Sequence, residues 1–524
     1  MTRFRRIVAA SAVLLASAPL AGCGGIQTTE GWLPRPAAVA EVALSDTDTA
    51  PVPPGEAPGL ETRLIYRADP AAGVGARWAE IPGNPAFNTE LRALVKAAID
   101  AQAAATGVPF VPAADGPADD SRSSQCAPGA TTRPVAELLA DPAVTPQTGG
   151  PTVTVVCEIV VASGPVLAEA LRIVTASGGQ VQSDSTTVHY TDTAGGFTAR
   201  SDGFISDDGA RTLLARVVQS LKVAAGAFEP RMQEDPADFP LEQLRAWFSN
   251  YTFGPDGSLV VRLPADFTTP ELDRLAEVPK PSPLIVTVAA DQATPLLSPE
   301  GAQVQAALAS GEPLTLPSAP PPGRRDVDCS LFACVALTFD DGPSPLTAGL
   351  IDLFNSRDSA TTFFVQGSYV GAFRDVVRRM HDEGHQIGNH TWNHPDLTRL
   401  SAGAVREQIA RTNAVIEDIT GSAPTIFRPP YGSYNDTVLG ATGMPAIMWS
   451  RDTLDWQKPG DGALVQRAMS NAQPGDIILM HDIHETTTRV VPQIVDGLLN
   501  RGFMLVTVEQ ILGGTPAPGT VTKR

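Results

Sequence analysis

Two carboxylates stand side by side at Asp340-Asp341, between an apolar run at 335–339 and the turn residues Gly342-Pro343. Successive side chains of an extended strand point opposite ways, so neighbouring aspartates can serve two separate roles; alone, an Asp-Asp-Gly-Pro turn is commonly a solvated one. Further on, His390 and His394 bracket the run His390-Thr391-Trp392-Asn393-His394. Four-residue spacing lets two imidazoles on a helical turn, or on a loop that folds back, reach one cation. His381 and His385 share that spacing, so spacing does not choose between the pairs. Position does: His390 follows a strand-like run, whereas the His381/His385 pair is read as the exposed face of an amphipathic helix. Three more clusters follow: Arg428-Pro429-Pro430-Tyr431-Gly432, Asp452-Thr453-Leu454-Asp455-Trp456 and Leu479-Met480-His481-Asp482. Each is ordinary by itself. Together they set acids, imidazoles and a guanidinium at successive strand ends, and six of the seven histidines lie in this part of the chain.

The elements that must hold these clusters are legible around them. Apolar runs at 335–339, 361–365, 386–388, 425–427, 446–449, 477–480 and 503–508 alternate with amphipathic stretches at 346–356, 371–383, 402–420, 463–471 and 488–500. Such alternation predicts an α/β unit, a parallel sheet covered by helices and either open or closed into a barrel. A closed (β/α) barrel carries its chemistry at the C-terminal ends of the strands, which is where the polar clusters fall.

The rest of the chain sets the context. A length of 524 residues predicts two or three folded units, and 57 acidic against 38 basic side chains give a formal charge of -19. That balance excludes the basic face a nucleic-acid binder needs. Residues 1–22 have arginines, then an apolar run too short to span a bilayer comfortably, then small residues: a secretory leader. Leu20-Ala21-Gly22-Cys23 resembles a bacterial lipobox, making Cys23 the lipidation site and the expected location extracytoplasmic, anchored to the membrane by lipid. Residues 23–60 read as a flexible tether, 61–312 as a smaller α+β region of unassigned role, 313–333 as a Pro-rich linker and 334–515 as the chemistry-bearing domain. Within the α+β region, strands at 152–161 and 186–190, a helix at 210–225 capped by Asp207 or Asp208, and a hairpin around 251–263 are predicted. Four cysteines remain beyond Cys23, and an even number outside the cytoplasm suggests disulfides. Of three connectivities, Cys126–Cys157 with Cys329–Cys334 keeps each pair within one domain.

With all five clusters in hand, the segment 334–512 resembles the polysaccharide deacetylases of the NodB-homology type, carbohydrate esterase family four. Thr338-Phe339-Asp340-Asp341-Gly342 matches the first family motif and His390 to His394 the second. Arg428 to Gly432, Asp452 to Trp456 and Leu479 to His481 match the third, fourth and fifth, in family order. The resemblance implies a distorted (β/α) barrel and a metal-dependent hydrolase. It assigns Asp341, His390 and His394 to one divalent metal, which two imidazoles and a carboxylate suit as zinc, with cobalt, nickel or iron also fitting. It makes Asp340 the general base held by Arg428, and gives the Tyr431 backbone N–H to the oxyanion. His481 becomes the acid tuned by Asp455, and Trp456 and Leu479 the walls of the acetyl pocket. The stretch 479–485 looks like that of peptidoglycan N-acetylglucosamine deacetylases, which points to cell-wall polysaccharide as substrate. Chitin-like or O-acetylated polymers are the alternative substrates. A non-catalytic wall-binding or sensing lipoprotein is the alternative class; loss of a metal ligand would favour it, and all three are present.

Overall fold

The strand Cys334–Asp340 is buried along its whole length because helices cover one of its faces and the barrel interior the other. Its alternation separates the two. Val335, Leu337 and Phe339 pack outward among Leu350, Phe354, Val491 and Ile494. Cys334 and Ala336 point inward among Phe364, Ile426, Ile447 and Ile477. The same two-residue period puts Thr338 and Asp340 on the inner face, further toward the strand's C-terminal end.

The computed structural model describes residues 41–47, 54–114, 125–275, 278, 280–281 and 283–523; the leader and Cys23 lie outside them. Thr362–Val365 and then Gln386–Asn389 pair in parallel on one side of Cys334–Asp340, with Ile477–His481 and then Arg451–Asp452 on the other. Single bridges carry the ring from Asn389 to Phe427 and from Phe427 to Ala446. Among the described residues no ladder joins Ala446–Ile447 to Arg451–Asp452, so the barrel is distorted where the ring would close. The strand expected at 425–427 shrinks to those bridges because Pro424, Pro429 and Pro430 flank it and limit the ladder. The run at 503–508 also divides: Met504–Leu505 pairs with the start of the central strand, and Thr507 then caps the helix Val508–Leu512 with a capping box. Helices Thr347–Ser356, Arg374–Asp382, Ala402–Thr420, Asp461–Met469 and Glu485–Asn500 occupy the expected stretches.

The smaller α+β region has two cores. Glu61–Arg67, Gly73–Glu80, Thr152–Ser163, Val166–Ser177, Gln180–Asp192 and Thr198–Arg200 form one sheet in chain order. Pairing is antiparallel except between Gly73–Glu80 and Thr152–Ser163, where the helix Pro85–Thr106 lies in the crossover. A second sheet joins Ala43–Ser45, Leu284–Val288, Leu259–Leu263 and Tyr251–Phe253 under the helix Asp207–Ala224. Residues 41–47, assigned to the tether by sequence, thus supply an edge strand, with Val42 buried. That helix is capped by Ser206, whose side chain accepts the Gly209 N–H, and not by the aspartates. Asp207 and Asp208 occupy the first turn, where negative charge suits the helix dipole. The lone His189 packs between Glu90 and Thr187. Both expected disulfides, Cys126–Cys157 and Cys329–Cys334, are present.

The Pro-rich segment is clamped on both sides. Leu314, Leu316 and Leu331 pack on the first α+β core, while Val327 and Cys329 pack on the barrel. Arg325 pairs with Glu61 at 3.1 Å and with Asp358 at 2.6 Å. Arg324 donates to the His381 carbonyl, and Gln510 Nε2 to the carbonyls of Pro322 and Arg325. Every barrel partner here lies near the N-terminal ends of the strands.

His385 corrects the sequence reading. His381 is partly exposed on its helix, but His385 lies past the helix end, 4% exposed, edge-on to Phe354 and Phe363. Neither ring nitrogen has a hydrogen-bond partner. Burial, aided by Arg379 and opposed by Glu383, pushes its imidazole down to about 4 from the ordinary 6.5. Between those values the unfolded chain binds a proton that the folded one does not. Stability is therefore complete above the unfolded value and declines as pH falls below it. His385 should cost about 2 kcal/mol of barrel stability by pH 5, and His385→Leu should flatten that decline in denaturation midpoints measured from pH 7.5 to 5. Equal slopes for both proteins would refute this.

Candidate metal centre and active-site cleft

The inner face of the central strand meets a buried cation. Arg428 is fully buried, with its guanidinium 4.1 Å from the Phe364 ring centroid and 5.6 Å from that of Trp449. Its Nη1 donates to Asp340 Oδ1 at 2.8 Å and to Thr338 Oγ1 at 2.7 Å, and its Nε to the Ile447 carbonyl at 2.9 Å. The fork holds one oxygen of Asp340. The other stands 3.9 Å from His390 Nε2.

The chain turns at Asp341, where φ is 73°, and its carboxylate approaches the same His390 nitrogen that Asp340 faces. Asp341 Oδ1 lies 3.4 Å from His390 Nε2 and 3.3 Å from His394 Nε2, and the three ligand atoms fall within 4.8 Å of one another. His390 Nδ1 is 2.7 Å from the Arg428 carbonyl. A carbonyl only accepts, so the Nδ1 carries the hydrogen and the neutral ring presents a lone pair at Nε2. Asp341 Oδ1 is buried with no donor in bonding geometry. Burial alone would raise its carboxyl, but His390, His394 and His481 bring it down to about 2. An anionic oxygen and two imidazole nitrogens converging on one point fit a divalent cation. The cluster of Cys126, Cys157 and Glu169 does not, because its sulfurs are joined in a disulfide.

Facing this group across the cleft is a second assembly. His481 ends the strand Ile477–His481, with Nδ1 2.7 Å from Asp455 Oδ1 and Nε2 4.0 Å from Asp341 Oδ2. Asp455 Oδ2 accepts the His481 N–H at 2.8 Å and the Thr487 hydroxyl at 2.7 Å. Burial pulls the His481 imidazole down, but the bond to Asp455 and the charges of Asp455, Asp340 and Asp341 outweigh it and hold it up at about 9. Asp482 points the other way, fully buried, and takes the Thr347 hydroxyl. A Cβ at Gly342 would come within 2.1 Å of that carboxylate, so the position requires glycine.

Asp340, Asp341, His390, His394, Tyr431, Trp456, Leu479 and His481 line one cleft of about 410 Å³, with Pro429, Gly432, Trp449 and Asp452. That size suits a sugar unit with its substituents. Leu479 is buried in its wall, whereas Tyr431 is 70% and Trp456 53% exposed at the rim. The Tyr431 ring meets His394 edge-on at 4.6 Å. Six of the eight non-glycine residues with positive φ among the described residues lie around the cleft: Asp341, Thr391, His394, Tyr431, Leu454 and Lys458. Such backbone costs about 1–3 kcal/mol per residue and persists where surrounding contacts over-determine it.

All ten residues singled out in the C-terminal domain therefore meet here: Arg428 and Asp455 lie behind the wall and the other eight line it. Sequence reasoning assigned no role to Thr338, Trp449, Thr487 or Asp482, although Thr338 and Asp482 stand inside two of its clusters. A polar Thr338 two residues before Asp340 in an apolar strand was a usable signal. Thr487 and Trp449 gave none, since their partners come from distant segments.

The family model for polysaccharide deacetylase matches residues 329–445. Over 180 residues the chain is 42% identical to the peptidoglycan-N-acetylglucosamine deacetylase PgdA of Listeria monocytogenes, spanning 34% of this chain and 39% of that protein. Over 235 residues it is 37% identical to a chitin deacetylase of Pestalotiopsis sp, spanning 42% of this chain and 78% of that protein. A solved structure, a T48 deacetylase with substrate, shares 43% identity over 37% of this chain and 99% of its own, with a TM-score of 0.37.

One metal ion per chain is expected after loading with zinc, cobalt, nickel or iron and gel filtration, counted by elemental analysis. Asp341→Ala and His390→Ala should each weaken binding about a hundredfold or more. Full occupancy in both variants would overturn the ligand set.

Proposed function

The chain belongs to the polysaccharide deacetylase family, and on that footing we propose that it hydrolyses N-acetyl groups of a cell-envelope polysaccharide, with peptidoglycan N-acetylglucosamine as substrate. The observation that carries this reading is the opposition of two assemblies across one cleft: Asp341, His390 and His394 on one side, His481 held by Asp455 on the other. Zinc is the ion we assign to the first. Bound there, a divalent ion supplies Lewis acidity toward an acetyl carbonyl and a water.

The chain's own residues do the rest. Asp340, with one oxygen fixed by Arg428, accepts a proton from the attacking water. The water oxygen bonds to the acetyl carbon, the carbon–nitrogen bond breaks, and His481 Nε2 gives a proton to the departing amine. Asp455 keeps the His481 ring oriented and charged. The Tyr431 backbone N–H is assigned to the oxygen that gains negative charge. Trp456 and Leu479 confine the acetyl group. Acetate and a free amino sugar leave.

PgdA, 42% identical over the matched segment, is by name a peptidoglycan-N-acetylglucosamine deacetylase; the chitin deacetylase favours a neutral polymer as the second reading. Lipid on Cys23 would keep the enzyme at the membrane, within reach of the cell's own wall. Acetate release from purified peptidoglycan, from chitooligosaccharides and from acetylated xylan decides the substrate, and release from xylan alone would overturn the proposal. On the true substrate, Asp340→Asn and His481→Gln should each lower kcat about 10²- to 10⁴-fold. Both variants should still bind metal, and near-normal turnover in either would refute its role.

A further inference from the structure

His481 and Asp482 are neighbours at one strand end, yet only His481 lines the cleft, and Asp482 is fully buried. No step of the proposed hydrolysis uses Asp482. Its two oxygens are unequally served. Oδ2 takes the Thr347 hydroxyl, whereas Oδ1 has no hydrogen-bond partner among the described residues. A buried carboxylate with an idle oxygen is costly, so its retention calls for a reason. The carboxylate lies so close to Gly342 that a Cβ there would collide with both oxygens, and Gly342 directly follows Asp341.

The turn after Asp341 reaches Asp482 through two hydroxyls. Ser344 Oγ donates to the Asp482 carbonyl at 2.7 Å, and Thr347 Oγ1 donates to its carboxylate. Both hydroxyls also serve the turn itself: Thr347 Oγ1 accepts the Ser344 N–H at 2.8 Å and Ser344 Oγ the Leu346 N–H at 3.1 Å. Those local bonds are all that a helix start requires. The bonds to Asp482 tie the turn to another strand. From the turn, backbone bonds run on around the barrel mouth. The Gly342 carbonyl takes the Gln366 N–H at 2.7 Å, and the carbonyls of Thr391 and Trp392 take the N–H groups of Gly367 and Ser368 at 2.9 and 2.8 Å. Loops after four neighbouring strands are thus linked in sheet order, with His481 at one end and His390 and His394 at the other. In this series the link at Asp482 is the one made by side chains.

We propose that Asp482 is a positioning residue, which through Thr347 and Ser344 fixes the Asp341 turn against the strand end that carries His481. The separation it sets is that of Asp341 Oδ2 and His481 Nε2, 4.0 Å apart. The inference rests on the deacetylase reading and deepens it. Carbonyl activation at one wall and proton donation at the other must stay in register while the carbon–nitrogen bond breaks, and small misplacements there are expensive in rate.

Visible absorption of the cobalt(II)-loaded protein reads the geometry at Asp341, His390 and His394 without turnover. Thr347→Val, which keeps the shape and removes the hydroxyl, should shift that spectrum and weaken cobalt binding about tenfold. It should also lower kcat for acetate release about tenfold, with KM little changed. Thr347→Ser, which keeps the hydroxyl, should restore all three. Asp482→Ala should match Thr347→Val; if it does not fold, the two threonine variants decide. A thermal unfolding midpoint that drops while the cobalt spectrum and kcat of the folded protein stay at wild-type values would overturn the proposal, and so would a Thr347→Ser variant no better than Thr347→Val. If the wild-type protein releases acetate from no substrate, the deacetylase reading fails, and the cobalt spectra still decide the role of Asp482.

Discussion

The buried guanidinium of Arg428 is the interaction on which the rest of the site depends. It is fully enclosed and bonded to Asp340, Thr338 and the Ile447 carbonyl, while its own carbonyl receives His390 Nδ1–H. One residue thus fixes a carboxylate's orientation, an imidazole's tautomer and the approach of the 446–447 segment to the central strand. A charge taken out of water is costly unless its partner and all its donors are placed, and removing one partner of such a pair typically costs about 3–5 kcal/mol. The prolines after Arg428 contribute in the same direction. They stiffen the backbone that carries both its side chain and its carbonyl.

The second assembly repeats that logic with the charges exchanged. Asp455 is buried, and the imidazole, an amide N–H and a hydroxyl all converge on its two oxygens. Its carboxyl stays below the usual range despite burial, because His481 and Thr487 stabilise the anion. Each side of the cleft therefore has an ionisable group in its lining and a buried partner of opposite charge behind it. The strained backbone around the rim is what lets short loops deliver both sets to one small volume.

Much of this was readable from residue types and order. The alternation of apolar runs and amphipathic stretches located every long helix of the barrel, and five polar clusters after strand runs located the cleft. What failed did so for identifiable reasons. Flanking prolines erased the ladder of the strand at 425–427, and a capping box claimed the end of the run at 503–508. His385 looked like half of an exposed pair, yet the helix ends at Asp382, and the turn beyond it drops the ring against two phenylalanines. Residues 41–47 have too little periodicity to reveal a strand whose partner, Leu284–Val288, lies far along the chain. Thr487 belongs to the same class. Its contribution exists only once two distant segments meet.

The clamp formed by Arg324, Arg325 and Gln510 grips the barrel where its strands begin, and the cleft opens where they end. These clamp contacts and the cleft therefore lie at opposite poles of the barrel. Every residue lining the cleft belongs to the barrel, and these contacts reach it only through the strands that run between the two poles.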